Sequence, residues 1–142
     1  MSINTAAPDL STFSDEWKIG RFSAAVWDQK VSVEVTTFDQ LVAEFGLPRY
    51  SKVDVEGFEK EVFLGLSAKV GCVSFEFTSE FMMNAGDIIC HLCEIGYSIF
   101  NFSIAEEDHF FKNRWLDREK LLSNLYEICR ANSLCWGDIY AN

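Results

Sequence analysis

The sequence predicts an α/β fold with a mainly parallel sheet and helices on both faces. Three features carry that expectation. Apolar period switches repeatedly between two and about 3.6 residues along the chain. The run Val70 to Phe77 is nearly all apolar, as in a strand buried on both faces. Strands separated by single helices of ordinary length imply βαβ units.

The elements follow in order. The first 30 residues carry Ser, Asp, Gly and scattered aromatics (Phe13, Trp17, Phe22, Trp27) without a sustained period, and read as a loop-rich arm. Val31, Val33 and Val35 alternate with Ser32 and Glu34, which predicts a half-buried strand. Phe38, Leu41, Val42 and Phe45 then fall at i, i+3, i+4 and i+7. Thr37 and Gln40 have capping-box spacing, and Gly46 with Pro48 stops this helix.

A short strand over Ser51 to Val55 leads to Gly57-Phe58-Glu59, which opens a second helix to about Leu66. After the Val70 to Phe77 strand, Thr78 or Ser79 is expected to cap a helix with Ala85, Ile88, Ile89 and Leu92 on one stripe, ending at Gly96. Tyr97 to Ile104 is the next strand. Asp117 can cap a helix carrying Leu121, Leu122, Leu125 and Ile128, and Leu134 to Ala141 closes the chain as a strand. Two regions result: an arm over 1–30 and an α/β portion over 31–142.

At 142 residues and 49% hydrophobic, the chain can bury one core. A net charge of −10 repels phosphate backbones and anionic lipid, which excludes nucleic acid and membrane surfaces as partners. The N-terminus lacks the basic flank and apolar core of an export signal. An odd count of five cysteines without such a signal points to reduced thiols and a cytoplasmic protein.

The richest segment is Val35-Thr36-Thr37-Phe38-Asp39-Gln40-Leu41 followed by Ser51-Lys52-Val53-Asp54-Val55-Glu56-Gly57-Phe58-Glu59. On its own chemistry, Lys52 to Val55 leads a strand to its carboxyl end, where ligands of doubly wound sheets bind. Gly57 lets the chain turn there into a helix. Asp54 and Glu56 thus stand where chemistry is done in such sheets. Asp54, Glu56 and Glu59 could equally cap the helix and offset its dipole. Glu76 ends the following strand on the same edge, as a substrate contact or as a solvated strand end.

These segments, with the later Phe75-Glu76, resemble the FkbM-type methyltransferases in order and spacing. Phe38 and Val53 replace the usual Leu and Ile, keeping apolar character. The resemblance is close over Val31 to Phe77. It implies a partial Rossmann-like class I methyltransferase fold with the first half of the sheet missing. It implies transfer of a methyl group from S-adenosylmethionine to an acceptor, expected to be a hydroxyl oxygen of a small molecule or glycan. Asp54 is then the first candidate for taking the acceptor's proton and Glu56 the second, with Glu59 and Glu76 on the substrate side. The alternative is a non-catalytic remnant acting as an interaction module.

A complete domain of this type holds its donor with a glycine-rich loop and an upstream acidic residue. The eight glycines here never come closer than six positions, as at Gly65 and Gly71. Only 36 residues precede Thr37, whereas three strands and two helices take roughly 60. The expectation is a truncated chain whose strand 51–55 has an exposed edge and promotes self-association. No metal site is expected. Cys90 and His91 of Cys90-His91-Leu92-Cys93 point to different sides of a helix, and Glu106-Glu107-Asp108 reads as a solvated loop.

Overall fold

The computed structural model describes residues 1–7, 10–18 and 22–142. Two short strands, β1 (Ser2–Ile3) and β2 (Gln29–Lys30), pair antiparallel and tie the two ends of the N-terminal arm together. Helix α1 (Phe38–Phe45) follows, then β3 (Tyr50–Val53), α2 (Glu59–Leu64), β4 (Cys72–Thr78), α3 (Met82–Glu94), β5 (Phe100–Phe102), α4 (Arg118–Ala131) and β6 (Trp136–Ala141). The main sheet has the order β3-β4-β6-β5.

The α/β character and the element order are as the sequence predicts, with two exceptions. No strand forms over Val31 to Val35. Val31 exchanges main-chain hydrogen bonds with Met1, each at 3.0 Å, and the pairing stops there. Val33 and Val35 are 44% and 75% exposed. Period-2 alternation makes a segment fit for a strand, but a strand also needs a neighbour to bond. The second exception is the helix after β4. A 3-10 turn over Ser79–Phe81 intervenes, and neither Thr78 nor Ser79 caps α3 with its side chain. The Ser79 hydroxyl donates instead to the Ser133 carbonyl at 2.6 Å.

The sheet is mixed: β3, β4 and β5 run in the same direction, in keeping with the mainly parallel sheet expected, and β6, which lies between β4 and β5, is antiparallel to both. The cause lies after β5, where the chain folds back along it: Leu116 bridges antiparallel to Phe100, and Phe111 N–H donates to the Phe102 carbonyl at 2.7 Å. Helix α4 therefore starts from the end at which β5 began, and β6 returns in the opposite sense.

The α-helices gather on one face, not on both. Strand pleat places Val73, Phe75 and Phe77 together with Val53, Ile139 and Phe102 on that face. Phe63 of α2 meets Phe75 edge-on at 5.2 Å, and Phe38 of α1 meets Phe63 at 6.4 Å. Helix α3 packs between α2 and α4. The other face carries Lys52, Ser74, Glu76, Asp138 and Tyr140, because the polar positions of β4 (Ser74, Glu76 and Thr78) fall in the same phase. The near-apolar run over Val70 to Phe77 hides that alternation.

The helix ends are capped as their residues dictate. Thr37 and Gln40 form a reciprocal capping box at the start of α1, and Asp117 accepts from Lys120 N–H at 2.9 Å at the start of α4. Among the described residues no helix is long and apolar enough to cross a membrane.

Candidate functional site

Strand β3 ends at Val53, and the next four residues make a tight turn at the carboxyl edge of the sheet. Glu56 adopts φ +52°, a conformation that costs a side-chain-bearing residue energy, and Gly57 follows at φ +86°. Glu59 holds this turn. Its carboxylate accepts from Val55 N–H at 3.1 Å and from Gly57 N–H at 3.3 Å, and the residue is only 9% exposed. Burial raises the Glu59 pKa, opposed by these backbone hydrogen bonds. The structure thus places Glu59 inside the turn as its support.

The register of β3 against β4 pairs Val53 with Phe75, so Asp54 and Glu76 leave neighbouring strands at the same level. Carboxylate oxygens of Asp54, Glu56 and Glu76 lie within 4.8 Å of one another. Asp138 stands across from Glu76 on β6. Among the described residues, Lys52 Nζ lies 3.4 Å from Asp54 and 3.3 Å from Asp138. Desolvation would lower the Lys52 pKa, but these two carboxylates outweigh it and the pKa is raised.

Glu76 pays for this crowding. Burial first, and then repulsion from Glu56, Asp54, Glu59 and Asp138, push its pKa up to about 8. It is thus largely a neutral carboxyl at pH 7, able to donate a hydrogen bond. A neutral carboxyl set beside two further carboxyl groups is the arrangement of an acid–base set. The same three residues could hold a hard divalent cation through oxygen, but that ion would have to displace the Glu76 proton. The Cys90-His91-Leu92-Cys93 stretch lies elsewhere, and His91 Nε2 is hydrogen-bonded to the Leu66 carbonyl at 2.9 Å.

The N-terminal arm completes the site, and sequence reasoning missed this. Thr12 Oγ1 donates to the Glu56 carbonyl at 2.5 Å. Trp17, 3% exposed, lies on Gly57 and stacks with Phe22 and Phe81 at 5.0 and 5.5 Å. A cavity of about 20 Å³, room for a single water, remains between Trp17, Glu59, Glu76 and Thr78. Asp138 was also missed. The clustering of aromatics in an otherwise polar arm was the available signal, because such residues seek burial.

Gly57 can be replaced only at a cost. A Cβ there would sit 2.8 Å from Cε3 of the Trp17 ring, in a backbone conformation that favours glycine. Gly57→Ala is expected to destabilise the fold by about 2–4 kcal/mol in urea unfolding. A loss below about 0.5 kcal/mol would mean that the arm does not pack on the turn.

The residues described do not fit a cradle for S-adenosylmethionine. Among the described residues no glycine-rich turn follows a strand, and Gly57, beside the site, has its open side filled by Trp17. No curated protein and no solved structure matches the chain. The profile of the methyltransferase FkbM domain matches residues 4–116, a span that includes most of the arm, β3, β4 and the three clustered carboxylates. The chain therefore belongs to the FkbM methyltransferase domain family.

Proposed function

We propose that this chain supplies the acceptor side of a methyl transfer from S-adenosylmethionine to a hydroxyl oxygen of a small molecule or glycan. The donor would be held by residues outside this sequence. The observation that carries the reading is the convergence of Asp54, Glu56 and Glu76 at the carboxyl ends of two parallel strands. Such edges hold the ligands of open α/β sheets.

When bound, the donor contributes an electrophilic methyl group. The work left to this chain is to orient the acceptor oxygen and relieve it of its proton. Asp54, with its side chain 47% exposed and Lys52 alongside, is the base in this reading. Glu76, as a neutral carboxyl, donates a hydrogen bond to a neighbouring acceptor oxygen. Glu56 lies within reach of both, and Glu59 fixes the turn that carries them. The field of these carboxylates favours neutral or cationic acceptors over phosphorylated ones.

The test supplies the chain with a donor-binding segment, fused upstream or added in trans, and follows labelled methyl transfer. Asp54→Asn is expected to lower turnover by about 100-fold or more, with donor affinity changed less than about twofold. Unchanged turnover would return Asp54 to a purely structural role at the turn.

A further inference from the structure

Nε1 of Trp17, Oγ1 of Thr78 and Oδ1 of Asp138 are buried side-chain atoms without a hydrogen-bond partner among the described residues. The first two belong to residues that line one cavity of about 20 Å³, together with Glu59, Glu76 and Asn84. Trp17 is 3% exposed and Thr78 5%, so bulk solvent does not satisfy them. The remaining wall is mostly apolar and offers them no bond. Leaving a buried N–H and a buried hydroxyl unbonded costs more than the entropy of fixing one water. The cavity exceeds the roughly 10–15 Å³ that one water needs, and it is too small for a larger ligand.

The two glutamates complete a set of four groups. Glu59 takes Val55 N–H and Gly57 N–H on Oε1, which leaves acceptor capacity on Oε2. Glu76, as a neutral carboxyl, has one hydroxyl and one carbonyl oxygen. The Trp17 indole can only donate, so whatever bridges these groups must accept from it. We propose that the cavity seats one fixed water, which accepts hydrogen bonds from Trp17 Nε1–H and Thr78 Oγ1–H and donates to the Glu59 carboxylate and the carbonyl oxygen of Glu76. Both lone pairs and both hydrogens of the water are then used.

The reverse sense, with Glu76 donating to the water, fills the second lone pair and turns the Thr78 hydroxyl hydrogen away from it, where no acceptor bonds it among the described residues. In the sense proposed, the carbonyl oxygen of Glu76 is held inward and its hydroxyl faces the side where Asp54 and Glu56 converge with it. Trp17 and Thr78 are thus positioning residues that act on Glu76 through the water. That consequence rests on the methyl-transfer reading, in which the Glu76 hydroxyl is offered to the acceptor, whereas the water itself does not.

The experiment observes the water in the whole chain by nuclear magnetic resonance, as cross-relaxation between water and the Trp17 indole proton, which is assigned by its loss in Trp17→Phe. The parent is expected to show the sign of a water that stays longer than the molecule tumbles. Thr78→Val keeps the side-chain shape without the hydroxyl and should weaken this signal about fivefold or more, whereas Thr78→Ser retains it. Infrared difference spectra against Glu76→Gln at about pH 6, where Glu76 keeps its proton, isolate its carbonyl stretch. Thr78→Val and Trp17→Phe should each move that band to higher frequency, because a hydrogen bond to the carbonyl is lost, and Thr78→Ser should leave it in place. Neither measurement needs donor or acceptor, so a failure of methyl transfer does not touch them. In the assay with a donor-binding segment, Thr78→Val should lower kcat about tenfold at unchanged KM, with Thr78→Ser within about threefold of the parent. A Trp17 indole proton without a long-lived water neighbour in the parent, or a Glu76 band unmoved in Thr78→Val, would overturn the proposal, and an undiminished kcat in Thr78→Val would overturn the positioning role.

Discussion

Glu76→Gln is expected to stabilise the protein at pH 8 by about 2–3 kcal/mol and to flatten its stability between pH 5 and pH 8. The folded protein holds the Glu76 proton up to about pH 8, whereas an unfolded chain releases it near the ordinary glutamate value of 4.5. Between those values the native state binds more protons than the unfolded state, so stability falls as pH rises. Below about 4.5 both states are protonated and this group contributes nothing. Above about 8 both are ionised and the full penalty is present. The gap between the two values sets an upper limit near 4–5 kcal/mol. Partial exposure of the side chain reduces it, hence the smaller figure. Gln keeps the shape and a hydrogen-bond donor but has no charge to bury. Urea unfolding at pH 5, 6.5 and 8 measures the effect, which corresponds to a rise in Tm on the order of 5 °C or more at pH 8. A parent protein whose stability rises from pH 5 to 8, or a variant less stable than the parent at pH 8, would mean that Glu76 is ionised in the fold.

Most of the fold was legible because local signals and tertiary needs agree. Phe38, Leu41, Val42 and Phe45 with the Thr37–Gln40 box define α1 from spacing alone, and the box is present with both hydrogen bonds. Asp117 and the Leu121 to Ile128 stripe do the same for α4, whose Leu121 and Leu125 are fully buried. Val31 to Val35 was misread because alternation reports fitness for a sheet and not the presence of a neighbour. The antiparallel sense of β6 was not legible for a related reason. It is set by the return of residues 103–116 along β5, which rests on Leu116 and Phe111 finding Phe100 and Phe102, long-range pairings with no local period.

The site divides the same way. Asp54, Glu56, Glu59 and Glu76 were named from the strand–turn–helix pattern, and three of them do converge. The sequence did not separate their roles. Glu59 follows Glu56 by only three residues, yet it turns inward to bond Val55 and Gly57, while Glu56 joins the cluster. That difference follows from the positive φ values at Glu56 and Gly57, which spacing alone does not reveal. Trp17 and Thr12 reach the turn from about 40 residues upstream and could be read only as residues seeking a place to bury.

In the proposed function this chain carries the acceptor side of an FkbM domain, and its described residues offer no cradle for the donor. Dinucleotide and nucleoside ligands of open α/β sheets are gripped by main-chain N–H groups of a glycine-rich turn and by a carboxylate at a ribose. Here Gly57, the glycine nearest the clustered carboxylates, is filled by Trp17, and its neighbours Glu56 and Glu59 would repel the donor carboxylate. Isothermal titration of the chain with S-adenosylmethionine is the most direct measurement, with thermal unfolding as its check. The account predicts no saturable heat up to about 1 mM and no shift in Tm, since a ligand bound with a dissociation constant of about 10 micromolar would add about 2.7 kcal/mol at that concentration. Saturable binding in the micromolar range, accompanied by the corresponding rise in Tm, would contradict it.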